Sequence, residues 1–301
     1  MKKYAEVFRL SFKMQIVWRF DLVMTIVSTA ARMVAAYVLW SAIFDGAGSV
    51  GGAGIADGAG IAGGAGYAGG AGSASGAGIA SGARTINGFT FDAMLSYYIV
   101  SSIIGAIDFS NHISGEVSYL IRSGRFSGHM VTPMNPLGFF GSMTAGQTAF
   151  HFGFSLLSAV FCALVSRVAF SATGDIACLL LAALIVPLGL AFMAAYHYLI
   201  GVLTFKFLDI DFFLHVQGSI IAFAQGAMVP LSMLPRNVLA ALKFLPFTHV
   251  IYTPAMLITG NADAGDGLFG LCVILFWAAA AAAVAQRAYS RLRVVYDGVG
   301  I

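Results

Sequence analysis

Six stretches of this chain, roughly 22–44, 89–107, 137–166, 176–203, 212–234 and 267–286, run apolar for close to 20 residues or more. About 20 apolar residues are what an α-helix needs to cross roughly 30 Å of hydrocarbon. Inside a bilayer no water satisfies the backbone, so a run of this kind spans as a helix that bonds its own N–H and C=O groups. The alternative, a large soluble core, fails on charge. Only 10% of the 301 residues are charged, with 16 basic and 13 acidic side chains, against about 25% in ordinary soluble domains. With 59% apolar residues and a mean hydropathy of +0.87, neither a water-soluble enzyme nor a disordered chain fits. A net charge of +3 is too weak to imply a nucleic-acid partner.

Residues 235–259 are also apolar, but Pro235, Lys243, Pro246 and Pro254 interrupt them. That pattern predicts short helices or a re-entrant piece over 235–260, packed against protein, rather than a seventh span. The basic residues test this count. With a cytosolic N-terminus and six spans, the inside holds Lys2, Lys3, Arg9, Lys13, Arg19, Arg122, Arg125, Lys206, Arg287, Arg291 and Arg293. The outside holds only Arg84, Arg167, Arg236 and Lys243. Eleven against four is the sense expected when positive residues stay inside. A seventh span would place the three C-terminal arginines outside.

Ahead of the first span, Lys2, Glu6, Arg9 and Lys13 recur every three or four residues, which sets them on one face of a helix over residues 2–18. Such a helix is expected to lie in the membrane plane with its basic face among headgroups. The same recurring charges exclude a cleavable signal peptide, which needs an uninterrupted apolar region. Cys162, Cys178 and Cys272 lie in or beside apolar runs without metal-like spacing and read as small hydrophobes.

Residues 46–83 break the pattern, with 16 Gly and 12 Ala. From Gly51 they read GGAGIA, DGAGIA, GGAGYA, GGAGSA, SGAGIA, SGARTI, a hexapeptide repeat. Gly-rich chain loses much entropy on ordering and buries little in return, so a flexible external loop is expected. A left-handed β-helix shares the six-residue period, but Tyr67 and Ser73 interrupt the series of Ile55, Ile61 and Ile79, and the tract is too short to bury a core.

No Gly-Lys pair occurs anywhere, so no phosphate-binding GxxxxGK[ST] loop exists; HExxH, GxSxG and GxGD are absent too. This argues against an intramembrane hydrolase and against use of ATP by this chain alone. Arg32 falls mid-way along the first span, where a charge is costly; it lines a cavity, makes an interhelical contact, or snorkels through a shift of the span. His151, His197 and His215 share no ligand-like spacing.

The richest polar stretch lies between the second and third spans, at 111–140. Ile113 to Ile121 form a short helix carrying Glu116, Gly124 and Gly128 mark turns, and Pro133 and Pro136 precede the third span. A structured, charged loop on a hydrophobic protein is either a docking surface or a connector.

Here the chain resembles a known family. ISGEVSYLIRSGRFSGHMVTPMNPL looks like the cytosolic loop of type-2 ABC transporter permeases: a short helix, an R-S-G-x step, then Pro-x-N-Pro. VPLSMLPRNVLAALKFLPFTHVIYTPAMLITG, residues 229–260, resembles the family's segment before the last span. The ends KKYAEVFRLSFKMQIVWRFDL and RAYSRLRVVYDGVG are similar to family ends, while the Gly-Ala repeat departs from it. The resemblance implies a single all-α permease domain over 1–301 with an in-plane N-terminal helix, six transmembrane helices and short external helices before the last. It implies a second permease chain, identical or related, and separate cytosolic ATPase subunits that bind ATP and Mg, this chain binding no cofactor itself. Carried over, Glu116, Arg122 and Arg125 sit in an ATPase-coupling loop at 109–136, and Pro230, Pro235, Pro246 and Pro254 shape an external gate.

The expectation is therefore a non-enzymatic permease subunit in the inner (cytoplasmic) membrane, both termini cytosolic, exporting a hydrophobic or amphipathic compound. The alternative is a stand-alone secondary transporter, which would show broken spans in two matching halves.

Overall fold

A computed structural model describes residues 2–17, 19–50, 85–86, 89–166, 170–207, 210–227 and 229–295. The Gly-Ala repeat from Gly51 onward, with Arg84 and Arg167, lies outside the described residues. Among the described residues, apart from a two-stranded hairpin, β1 (Thr85–Ile86) with β2 (Phe89–Thr90), every regular element is helical. In order these are α1 (Lys2–Val17), α2 (Arg19–Val50), α3 (Phe91–Ile107), α4 (Asn111–Arg122), α5 (Ser127–Val131), α6 (Pro136–Ser166), α7 (Ile176–Val202), α8 (Thr204–Phe207), α9 (Asp211–Ala224), α10 (Arg236–Leu242), α11 (Tyr252–Ile258) and α12 (Ala264–Leu292).

Among the described residues, four stretches are long and apolar enough to cross a bilayer: Ile26–Phe44, Phe91–Arg122, Ile176–Phe207 and Ala264–Leu292. A fifth counts if Arg236–Leu242 and Pro246–Ile258, bent by 85°, form one broken span. This is a smaller number than the six runs of the sequence. The third run coincides with α6. The fifth is cut short: α9 ends at Ala224 after 14 residues, about 21 Å of helix. The chain then turns at Gly226, whose φ of 70° suits a residue without Cβ.

Three long helices begin with a capping side chain at the same end of the molecule. Thr90 Oγ1 accepts from the Ala93 N–H, Asp175 from Ala177 and Asp263 from Asp266, which satisfies donors that the first turn leaves open. The incoming chain ties these starts together. The Ser171 N–H donates to Ser96 Oγ, and the Thr173 N–H to the Ile258 carbonyl. So α3, α7 and α12 run parallel. At this end the core is aromatic and aliphatic: Met94, Tyr97, Tyr98, Phe192, Val250, Tyr252 and Ile274 are buried together with Trp40 and Phe44 of α2.

The opposite ends of α4, α7 and α12 form a second cluster of Ile113, Val117, Ile121, Phe126, Phe140, Tyr198 and Tyr289. α4 sits close on α7 because Gly201 has no side chain: a Cβ there would lie 2.7 Å from Val117 Cβ. α1 is held to α6 in the same way. The Gly146 Cα approaches the backbone of Phe8 so closely that a Cβ would lie 2.5 Å from the Phe8 carbonyl oxygen. Tyr4 Oη accepts from the Asn135 N–H, Phe12 meets Phe150 edge-on at 5.5 Å, and Gln15 meets His151. These pairs rise together along both helices, so α1 runs parallel to the first half of α6 and shares its inclination. It lies flat on a bilayer only insofar as that half of α6 does.

Candidate functional site

The chain breaks helix between α3 and α4, in the middle of the apolar stretch Phe91–Arg122. Asp108 explains how. Its carboxylate accepts from the Ser110 N–H at 3.0 Å and from Ser110 Oγ at 2.5 Å, a local turn just ahead of α4. The Ile107 carbonyl, freed by the break, accepts from Thr148 Oγ1 of α6 at 2.7 Å. Irregular backbone at membrane depth survives only where protein buries it or where it lines a water-filled space.

Such a space is present. A cavity of about 1220 Å³ lies against the break, bounded by Gln15 of α1, Met24 and Ser28 of α2, Phe109, Asn111, His112, Ser114, Gly115 and Glu116, Met143, Gln147 and His151 of α6, and Leu214, His215 and Ser219 of α9. His151 is buried, packs 4.4 Å from the Phe109 ring, and its Nε2 lies 3.1 Å from Gln15 Oε1. A second space of about 400 Å³ adjoins it, sharing Asn111 and Gly218, and is lined by Arg32, Asp108, His197 and Gln225. Ser114 Oγ of α4 lies 3.4 Å from His197 Nδ1 of α7.

α4 faces this space by its sequence spacing. Ile113, Ser114, Val117, Ser118 and Ile121 are buried toward the second core cluster and α7, leaving Asn111, His112, Gly115, Glu116 and Tyr119 on the open side. Glu116 therefore lines the cavity, while Arg122 ends α4 and Arg125 stands in the following turn. Beneath the cavity Arg122 Nη1 meets Asp211 Oδ2 at 3.1 Å, which joins the end of α4 to the start of α9. Both side chains are roughly half exposed, so the pair contributes only about 0.2–1 kcal/mol and aligns the two helices rather than clamping them.

The loop past α4 folds back as α5. His129 stands 5.0 Å from Phe139 and 5.6 Å from Phe126, and this burial lowers its pKa while the nearby Glu116 charge opposes the shift. Phe126 packs on Phe205 and Tyr289, so Arg122, Arg125, Lys206, Arg287, Arg291 and Arg293 gather at the second-cluster end. Arg236 and Lys243 belong to the other end, where Lys243 Nζ meets Asp266 at 2.8 Å.

At that end each expected gate proline starts a helical turn. Pro230 precedes the 3-10 turn Leu231–Met233, Pro235 precedes α10, Pro246 opens the turn Pro246–His249 and Pro254 falls in the first turn of α11. A missing N–H costs nothing in a first turn. His249 bridges the hairpin, with Nε2 donating to the Lys243 carbonyl and Nδ1 2.8 Å from Thr253 Oγ1.

Among the described residues no group of His, Cys, Asp and Glu is arranged to hold a metal ion. Sequence reasoning passed over Asp108, Phe109, Gln15 and Gln147. Asp108 carried a readable signal, an acidic residue closing an apolar run just before Ser and Asn.

No curated protein and no solved structure matches the chain. A family model does: the description ABC-2 family transporter protein fits residues 79–300, which takes in α3 to α12 and leaves α1 and α2 outside. With a broken apolar span, a polar cavity beside it and that match over well more than half its length, this essentially all-α multi-pass membrane protein belongs to the ABC-2 transporter family.

Proposed function

We propose that this chain is the permease subunit of an ATP-binding cassette exporter, and that the family match over 79–300 is the observation that carries the reading. The six spans of this reading are α2, α3 with α4, α6, α7, α9 with the turns after it, and α12. The end rich in Arg and Lys faces the cytosol of the inner membrane, with both termini there, by the rule that positive residues stay inside. ATP and Mg bind to a separate ATPase, and a second permease chain completes the pathway along the cavity.

The stroke enters through the turn and short helix after α4. Arg122 and Arg125 face the ATPase, and α4, seated on α7 and tied to Asp211, passes displacement to the cavity wall. Glu116 lies about 9 Å further up α4, at the cavity itself. Coupling of this kind needs an element with two arrangements, and the non-helical step at Asp108 to Ser110 supplies the joint. Arg32 lines the path, and the prolines Pro230, Pro235, Pro246 and Pro254 fix the outer hairpin as a gate.

The test is co-purification with the native ATPase, followed by a count of subunits and of substrate-stimulated hydrolysis. Arg122→Ala with Arg125→Ala is expected to insert normally and to lose stimulation, ATPase binding or both. Wild-type stoichiometry with wild-type stimulation in that variant would remove these two residues from the coupling path. Absence of any ATPase partner would favour a stand-alone secondary transporter instead.

A further inference from the structure

We infer that the cavity beside the break selects organic cations, with Glu116 as counter-ion, an assignment that rests on the permease reading above and names its substrate class. The larger cavity presents one carboxylate, Glu116, and neither Lys nor Arg among its lining. The adjoining space adds Asp108 and Arg32, so with histidine taken as neutral the joined lining carries one negative charge in excess. The remaining polar groups are amides and hydroxyls, among them Gln15, Asn111 and Gln147, which solvate without charge. Phe109 adds an aromatic face, stacked beside His112 at 6.2 Å and against His151 at 4.4 Å. A carboxylate with an aromatic ring is the chemistry that holds ammonium and phosphonium groups.

Glu116 stands on the amphipathic α4, with its face of the helix open to the cavity. Met24, Met143 and Leu214 supply apolar wall for the body of the ligand. An anion of equal shape would meet Glu116 unpaired and gain nothing from the ring's negative face.

The probe pair is tetraphenylphosphonium and tetraphenylborate, which share a shape and differ in sign. Binding is measured at equilibrium to the permease–ATPase complex in nanodiscs of zwitterionic lipid. Saturable binding of the phosphonium alone is expected, weakened about tenfold by Glu116→Gln and preserved by Glu116→Asp. Equal binding of both ions to the wild-type complex overturns the inference without needing any variant. Wild-type affinity in Glu116→Gln overturns the assignment of that carboxylate. Failure of the permease reading shows elsewhere, as a chain that recovers no ATPase.

Discussion

Gly201 decides how closely α4 lies on α7, and replacing it tests the wall of the cavity directly. A Cβ at this position lies 2.7 Å from Val117 Cβ, 3.0 Å from Val117 Cγ1 and 3.2 Å from the Ser114 carbonyl oxygen, whereas ordinary contacts begin near 3.4 Å. Gly201→Ala therefore forces α4 outward by about 0.7 Å in a close-packed seam. Overpacking of that order costs about 1–3 kcal/mol. The better helix propensity of Ala offsets about 1 kcal/mol, leaving a net loss of about 0–2 kcal/mol. Gly153 on α6 is the control, since nothing lies within 4 Å of a Cβ there. Gly153→Ala should gain up to about 1 kcal/mol. Thermal unfolding of both variants in one detergent, followed by intrinsic fluorescence, separates them. The seam also predicts which second change helps. Val117→Ala leaves the nearest clash in place, because Cβ itself is the atom met, whereas Val117→Gly relieves it. A Gly201→Ala protein that melts as high as Gly153→Ala would refute the close approach.

Three further outcomes are expected. In intact cells a single cysteine at Ser73 should label with an impermeant maleimide while one at Ser290 stays protected; the reverse pattern would invert the topology. Deleting 51–80 should leave membrane yield and ATPase association nearly unchanged, since a flexible loop adds only slowly growing closure entropy, and a collapse in yield would show that the repeat is structured. Burial lowers the His129 pKa from its ordinary 6.5, so the unfolded chain takes the proton more readily and the stability of the α5 region falls as pH drops below about 6.5. His129→Gln should flatten that part of a melting-versus-pH profile, and an unchanged profile would exclude the histidine.

The runs at 176–203 and 267–286 reappear as α7 and α12 with only small shifts, because length and apolarity alone fix a lipid-facing helix. The short interrupted helices of 235–260 were equally readable, since proline marks their starts. The stretch after Ile107 was harder. Ile113, Val117 and Ile121 with polar residues between them read as an isolated amphipathic helix on a cytosolic loop. In the folded chain the same spacing seats α4 on α7. The information that decides this lies some eighty residues away, in the bare backbone at Gly201. Glu116 shifts with it, from a loop charge to a cavity wall. In the fifth run apolar composition continues past Gly226, while α9 ends at Ala224.

The pairing of α1 with α6 sets a timetable for the ribosome. About 120 residues separate Val17 from Pro136, so at ordinary rates of synthesis roughly 6–24 s pass before α1 can meet its partner. Throughout that interval the surface that later closes on Gly138 and Gly146 has nothing of its own chain to cover it. The stripe of Lys2, Glu6, Arg9 and Lys13 makes it costly to thread α1 across a bilayer. α1 thus finds its seat only once α6 has been made, ahead of the six helices α7 to α12 that follow.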